Sequence, residues 1–362
     1  MPDDILPMWV ADMDFRSPPC VAEALEERVR HGIYGYSIPD SEYFDTVQGW
    51  FEQRFGWSTK REWLILTPGV VSSIYIAIRA LTEPGDGVVI SQPVYHPFMY
   101  AIRDTGRRLL NSELVYDEGQ YTIDYDDFEE KIENAKLFIL CSPHNPVGRV
   151  WTFGELQRMG EICLRHGVII VSDDIHQDFV YPGNRHYMLA GLDERFADIT
   201  ITCTAPSKTF NLAGLQLSNI FIPNEELRTR FLKEYRSCGL GSPGVMSIIA
   251  CKAAYEGGAE WLEELLGYLG GNFSLIREFL HTHLPKVRLV EPEGTYLAWL
   301  DCTELGYSAQ ELDKLVRDKA KLWLNGGTVF GDGGAGFQRM NIACPRPVLS
   351  DALARMESAF GS

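Results

Sequence analysis

Leu137-Phe138-Ile139-Leu140-Cys141, a helical run from Phe153 to His166, and Val168-Ile169-Ile170-Val171-Ser172 form the stretch that decides the fold. A strand with one wet face alternates apolar and polar residues, whereas these runs are almost continuously apolar, so both faces of each strand are covered. A helix between two such strands is the crossover that makes them parallel. The same alternation repeats outward. Leu64-Ile65-Leu66-Thr67 passes through Pro68-Gly69 into a helical run, Val70 to Leu81, and Val88-Val89-Ile90-Ser91 passes through Gln92-Pro93-Val94-Tyr95 into another, Pro97 to Thr105. Ile199 to Cys203 and Asn219 to Ile222 add two further strands. This order predicts an α/β domain around a mostly parallel sheet flanked by helices.

Beyond about residue 225 the pattern changes to long helices, Glu225 to Ser237, Pro243 to Glu256 and Ala259 to Leu284. Strand-like pieces follow at Val287 to Val290 and Thr295 to Leu300, with helices at Ala309 to Lys321 and Leu349 to Phe360, which predicts a smaller α+β C-terminal domain. At the other end, Trp9, Phe15, Tyr34 and Tyr36 make the opening too apolar for a solvated tail. The expected division is residues 1–40 as a segment packing on the small domain and the active site, 41–255 as the large domain, and 256–362 as the small one.

The chain has 362 residues with 33 Lys and Arg against 50 Asp and Glu, a net charge of −17. Binding nucleic acid takes a basic face, so that class of partner is excluded from the expectation. The eight cysteines are scattered through apolar contexts without a C-x-x-C pair, which predicts reduced core residues in a cytoplasmic protein rather than a disulfide framework or zinc site. No signal peptide opens the sequence, and no apolar run approaches membrane-spanning length.

In an open α/β sheet, ligands bind beyond the carboxyl ends of the strands. The turn Thr67-Pro68-Gly69 opens the helix beginning Val70-Val71, whose free N–H groups suit a phosphate. Tyr95 follows the next strand and could stack on a flat heterocycle or sit in the core. Asn145, between Pro143 and Pro146 in Ser142-Pro143-His144-Asn145-Pro146-Val147-Gly148, is a rigidly aimed donor and acceptor. Asp173, in Ser172-Asp173-Asp174-Ile175-His176, is a carboxylate at the end of a buried strand and is expected to face a cation. Metal binding by Asp173, Asp174 and His176 is the rival reading, without convincing further ligands. Last comes Lys208 in Thr204-Ala205-Pro206-Ser207-Lys208-Thr209, where lost hydration favours the nucleophilic amine able to form a Schiff base. Together these parts make a cradle for pyridoxal 5'-phosphate, with the Asp173 carboxylate keeping the pyridine nitrogen protonated.

Over essentially its whole length the sequence resembles the fold-type I pyridoxal-phosphate enzymes, the aspartate aminotransferase superfamily. Leu6-Pro7-Met8-Trp9-Val10-Ala11-Asp12-Met13-Asp14-Phe15, Pro93-Val94-Tyr95-His96-Pro97-Phe98, and Ser207-Lys208-Thr209-Phe210-Asn211-Leu212-Ala213-Gly214-Leu215-Gln216 resemble its cystathionine β-lyase or C-S lyase branch, the MalY/PatB type. The resemblance implies a seven-stranded-type sheet in the large domain. It implies that Lys208 carries the cofactor, that Asp173 meets the pyridine nitrogen, that Asn145 bonds the ring hydroxyl and that Tyr95 stacks on the ring. Val70, Val71 and Ser207 hold the phosphate, His176 lies beside the cofactor, and Tyr36 reaches the phosphate of the neighbouring subunit of a homodimer. Arg339, in Gln338-Arg339-Met340-Asn341-Ile342-Ala343, grips the substrate α-carboxylate, with Trp9 and Ala11 beside it.

Three positions depart from that pattern. Asp174 stands where the branch usually has Glu, His176 where many aminotransferases have Tyr, and the sequence opens close to the Trp9 motif, without the N-terminal arm of such relatives. The implied reaction is α,β-elimination of cystathionine or an L-cysteine S-conjugate. The alternatives are an aminotransferase, which shares the early steps, and a protein that binds the cofactor in a regulatory role. The pocket around Trp9, Tyr95 and the Gly-rich Gly326 to Gly336 segment is expected to choose the thiol-bearing group.

Overall fold

The computed structural model describes residues 4–361. Seven strands make the main sheet, in the order Leu64–Thr67, Ser218–Phe221, Thr200–Thr204, Ile169–Asp173, Leu137–Cys141, Gly87–Ile90 and Arg108–Asn111. Only Ser218–Phe221 runs antiparallel to its neighbours; the other pairings in this sheet are parallel. The apolar runs of the sequence are the central strands, and Leu137, Ile170, Ile201 and Val88 have no exposed surface. Burial on both faces is what removed the alternation from their sequences.

Local chemistry sets the helix bounds. Thr152 and Glu155 form a capping box at the start of Phe153–His166, and Gly167 ends it at φ 64°. Asp40 caps Ser41–Phe55 by accepting from the Tyr43 N–H. The helix Val70–Leu81 has no side-chain cap; it starts directly from the extended Gly69.

A second, antiparallel sheet joins Arg288–Leu289, Leu297–Asp301, Phe337–Asn341 and Asn325–Gly326. Leu6–Pro7 pairs in parallel with Leu322–Trp323 beside it. That pairing explains one departure from the expected elements. The helix expected over Ala309 to Lys321 runs regularly only over Ala309–Lys314, widens to a π turn over Leu315–Lys319 and stops at Lys321, whose φ is 54°. Leu322 has to leave the helix to meet Leu6. The edge strand Arg108–Asn111, the hairpin Leu114–Asp117 with Gln120–Ile123, and the helix Tyr125–Glu133 were not expected. Among the described residues no helix is long and apolar enough to cross a membrane.

Candidate active site

Because the strands are parallel, Thr67, Cys141, Asp173 and Thr204 all finish at one edge of the sheet, and the segments that follow enclose a cavity of about 470 Å³. Val70, Val71, Tyr95, Asn145, Asp173, His176, Ser207, Lys208 and Ala11 all line it. Five separate strand ends and the N-terminal segment therefore converge on one space.

Lys208 sits on the short helix Pro206–Thr209, and its Nζ donates to the Ala11 carbonyl. Burial pulls its pKa down, with Arg339 adding to the shift and Asp12 and Asp173 opposing it. The amine form is thereby favoured, as the sequence led us to expect. Asp173 is 3% exposed, and its carboxylate accepts one bond, from the Ile175 N–H at 3.2 Å. Burial is the main cause that raises its pKa to about 7; Asp174 raises it too, while the Ile175 N–H and Lys208 oppose. Among the described residues no ion pair is formed at Asp173, and Lys208 acts on it only through its charge.

His176 is also buried, and its pKa falls to about 3 through burial, Lys208 and Arg339 together, so it stands as a neutral imidazole. Its Nδ1 has no protein partner. The tyrosine Tyr95 meets Phe98 edge to face at 5.6 Å, and burial lifts its pKa, with a further push from Asp173. At the cavity's other end, the uncapped N-terminus of Val70–Leu81 presents Val70 and Val71 next to Ser207. Free N–H groups and the positive end of a helix dipole form an anion site there.

Arg339 does not line this cavity but adjoins it. It is 4% exposed, and it donates to Asn145 Oδ1 at 3.0 Å, to the Trp9 carbonyl at 2.6 Å and to Asn325 Oδ1 at 2.7 Å. The guanidinium lies 4.8 Å over the Phe330 ring, and burial lowers its pKa to about 10. All of these acceptors are neutral, so the charge remains available for a carboxylate.

The N-terminal segment is held across the site by side-chain amides. Asn211 accepts from the Met13 N–H and donates to the Met13 and Phe15 carbonyls, while Asn341 donates to the carbonyls of Val10 and Asp12. The Trp9 ring turns to Trp323 at 5.4 Å, leaving its backbone carbonyl for Arg339. Tyr36 lies apart from this assembly, fully exposed. Asn325, Phe330, Cys141 and Gln216 belong to the site or touch its arginine, and the sequence did not single them out. Asn325 was findable: it is a lone amide opening the Gly-rich segment.

The family model for aminotransferase class I and II matches residues 4–356. The chain belongs to that family. Among members of known role, cystathionine beta-lyase PatB of Bacillus subtilis is 46% identical over 99% of this chain and 93% of its own length. Cystalysin from Treponema denticola, whose structure contains a pyridoxal 5'-phosphate cofactor, superposes with a TM-score of 0.97 at 39% identity, covering 99% of this chain and 92% of that one. The PLP-bound C-S lyase from Staphylococcus hominis, complexed with the inhibitor L-cycloserine, gives a TM-score of 0.94 at 35% identity, covering 99% and 90%. The family's fold thus extends through both sheets of this chain, including the strand that carries Arg339.

Proposed function

We propose that this protein is a pyridoxal 5'-phosphate-dependent carbon–sulfur lyase that eliminates the β-substituent of cystathionine or an L-cysteine S-conjugate to give a thiol, pyruvate and ammonia. The observation that carries the reading is the convergence of Lys208, Asp173, Asn145, Tyr95 and the bare helix end at Val70 on one cavity. The similarity to lyases at 46% and 35% identity supports it. The cavity also fits the cofactor chemically: Asp173 lacks a cation, and the helix end lacks a cap.

When bound, pyridoxal 5'-phosphate supplies an aldehyde for the substrate amine and a protonated ring that withdraws electrons from the α-carbon. The protein's own groups do the rest. Val70, Val71 and Ser207 hold the phosphate. Asp173 keeps the ring nitrogen's proton in place, and Asn145 with neutral His176 fixes the ring's polar edge. Arg339, aided by the Trp9 and Ala11 backbone, orients the substrate by its carboxylate, which sets the α-C–H bond toward Lys208. The Lys208 amine then takes the α-proton, and its depressed pKa keeps it ready as a base.

We also propose a homodimer in which Tyr36 reaches the neighbouring site. Ile33, Tyr34, Tyr36 and Ile38 are exposed by 56% or more, an apolar arm unsuited to water. A cytoplasmic setting suits eight free cysteines. For the domains we propose residues 41–255 and 256–362, with 1–40 as a segment packing on the small domain and the active site; the strands of the main sheet fall within 64–221, those of the second within 288–341.

Transamination is the second reading, since the matching family is named for it. Purified protein incubated with cystathionine is expected to release pyruvate without an added keto acid, and Lys208→Ala to lose that release by at least about a thousandfold. Conversion of an added keto acid to its amino acid, with no release of pyruvate or thiol, would make the protein an aminotransferase, and full turnover by Lys208→Ala would remove Lys208 from the chemistry.

A further inference from the structure

A guanidinium carries five N–H donors and no acceptor. Arg339 spends three of its donors on neutral oxygens, those of Asn145, Asn325 and the Trp9 backbone, and its buried Nε has no partner among the described residues. A buried cation with a donor unmet is costly until an anion joins it. Of the three acceptors, Asn145 also lines the cofactor cavity and Trp9 lends only its backbone. Asn325 is therefore the acceptor whose replacement changes the hold on the arginine and neither the cavity lining nor the main chain.

The sheet places Asn325 for this. Asn325–Gly326 is an edge strand, and in its antiparallel register Asn325 stands opposite Arg339 and Gly326 opposite Gln338. Opposed residues share a face of the sheet, while successive ones take opposite faces. On the arginine's face the strand offers an amide oxygen at 2.7 Å. A carboxylate lies close by on the other: Asp313, from the helix Ala309–Lys314, accepts from Gln338 Nε2 at 2.7 Å, and a Cβ at Gly326 would collide with it. The chain beyond closes tightly, since a Cβ on Gly327 or Gly334 would strike the backbone of the other. That closed loop also seats Phe330 under the guanidinium at 4.8 Å.

We propose that Asn325 is a positioning residue for the substrate: its amide oxygen fixes the Arg339 guanidinium without neutralising it, so recognition of the α-carboxylate requires an amide rather than a carboxylate at this position. The inference rests on Arg339 receiving the substrate's α-carboxylate. It also gives the Gly-rich segment a task, which is to hold Asn325 and Phe330 against the arginine while Asp313 stays on the far face.

The test uses the full-length protein loaded with pyridoxal 5'-phosphate, as parent, Asn325→Ala and Asn325→Asp, with far-UV circular dichroism to check folding. Binding of L-alanine, which has no β-substituent to eliminate, is read from the change in bound-cofactor absorbance; KM and kcat are read from pyruvate released from cystathionine. Asn325→Ala removes the anchor and adds no charge, so L-alanine is expected to bind about threefold more weakly. Asn325→Asp keeps the shape but supplies a rival carboxylate, and the expected loss is at least about tenfold, with KM rising more than kcat falls. L-Alaninamide, which lacks the anionic carboxylate, is expected to bind the parent and Asn325→Asp to within about twofold of each other. An Asn325→Asp protein that binds L-alanine no more weakly than Asn325→Ala would overturn the proposal, as would an equal loss of L-alaninamide or a fall in kcat at unchanged KM. If Asn325→Ala does not fold, Asn325→Asp against the parent decides by the same tenfold criterion. A parent that gives no response to L-alanine also overturns the inference. One that binds L-alanine but releases no pyruvate ends the lyase reading alone, and the binding comparison still decides the role of Asn325.

Discussion

A carboxyl group that burial has raised to about 7 opposes folding whenever it ionises without a partner. Asp173 is in that position in the cofactor-free protein. Its folded pKa stands above the ordinary carboxylate value of 3.8, so its contribution to stability is complete below about pH 4 and is lost as pH rises toward 7. Asp173→Asn carries no such proton. Relative to the parent apoprotein, that variant is expected to gain stability progressively between about pH 4 and 7, by a few kcal/mol in all. Thermal melts of both proteins across that range give the difference curve, and a flat one would show that Asp173 is already compensated. Saturating pyridoxal 5'-phosphate is expected to reverse the order at neutral pH, because the ring cation then stabilises the carboxylate and not the amide.

At the scale of elements, the segment Trp9 to Phe15 contributes backbone rather than side chains. Its carbonyls receive Arg339 and Lys208, and its position depends on the amides of Asn211 and Asn341. Asn211→Ala leaves the Met13 and Phe15 carbonyls and the Met13 N–H without these partners, an expected loss of about 1–3 kcal/mol in unfolding free energy. With the Ala11 carbonyl displaced, KM is expected to rise more than kcat falls; the reverse split in steady-state assays would mean the segment serves chemistry more than positioning. The same segment shows what the sequence conveys. Its aromatic content said that it packs, but not that two asparagines about 200 and 330 positions later hold it. Strand ends were legible because parallel strands bury both faces, and the helices Val70–Leu81, Phe153–His166 and Glu225–Ser237 keep the bounds read from the sequence. Arg108–Asn111 was hidden because an edge strand needs no apolar run, and Phe337–Asn341 because its residues serve the site. Asp174 could be singled out from its neighbours; His186 could not, since only the folded chain brings it within 3.0 Å of Asp174.

At the scale of the whole molecule, the arm from Gly32 to Asp40 separates the helices Pro19–His31 and Ser41–Phe55 and carries its apolar side chains outward. Tyr36 is fully exposed and lies outside the cavity that holds Lys208, so within one chain it has no part in the site. If it serves the neighbouring subunit, lesions at Tyr36 and Lys208 must complement each other in a mixed dimer. Tyr36→Ala and Lys208→Ala homodimers each carry one lesion in both sites. In the hybrid, one site receives both lesions and the other receives neither. Random reassociation makes half the dimers hybrid with one intact site of two, so an equal mixture is expected to recover roughly a quarter of parental pyruvate release. Size-exclusion chromatography before and after mixing shows whether subunits exchanged. Exchange without recovered activity would place Tyr36 in the service of its own chain, or of the interface alone; recovery would mean that the apolar arm is exposed in one subunit because it completes the phosphate site of another.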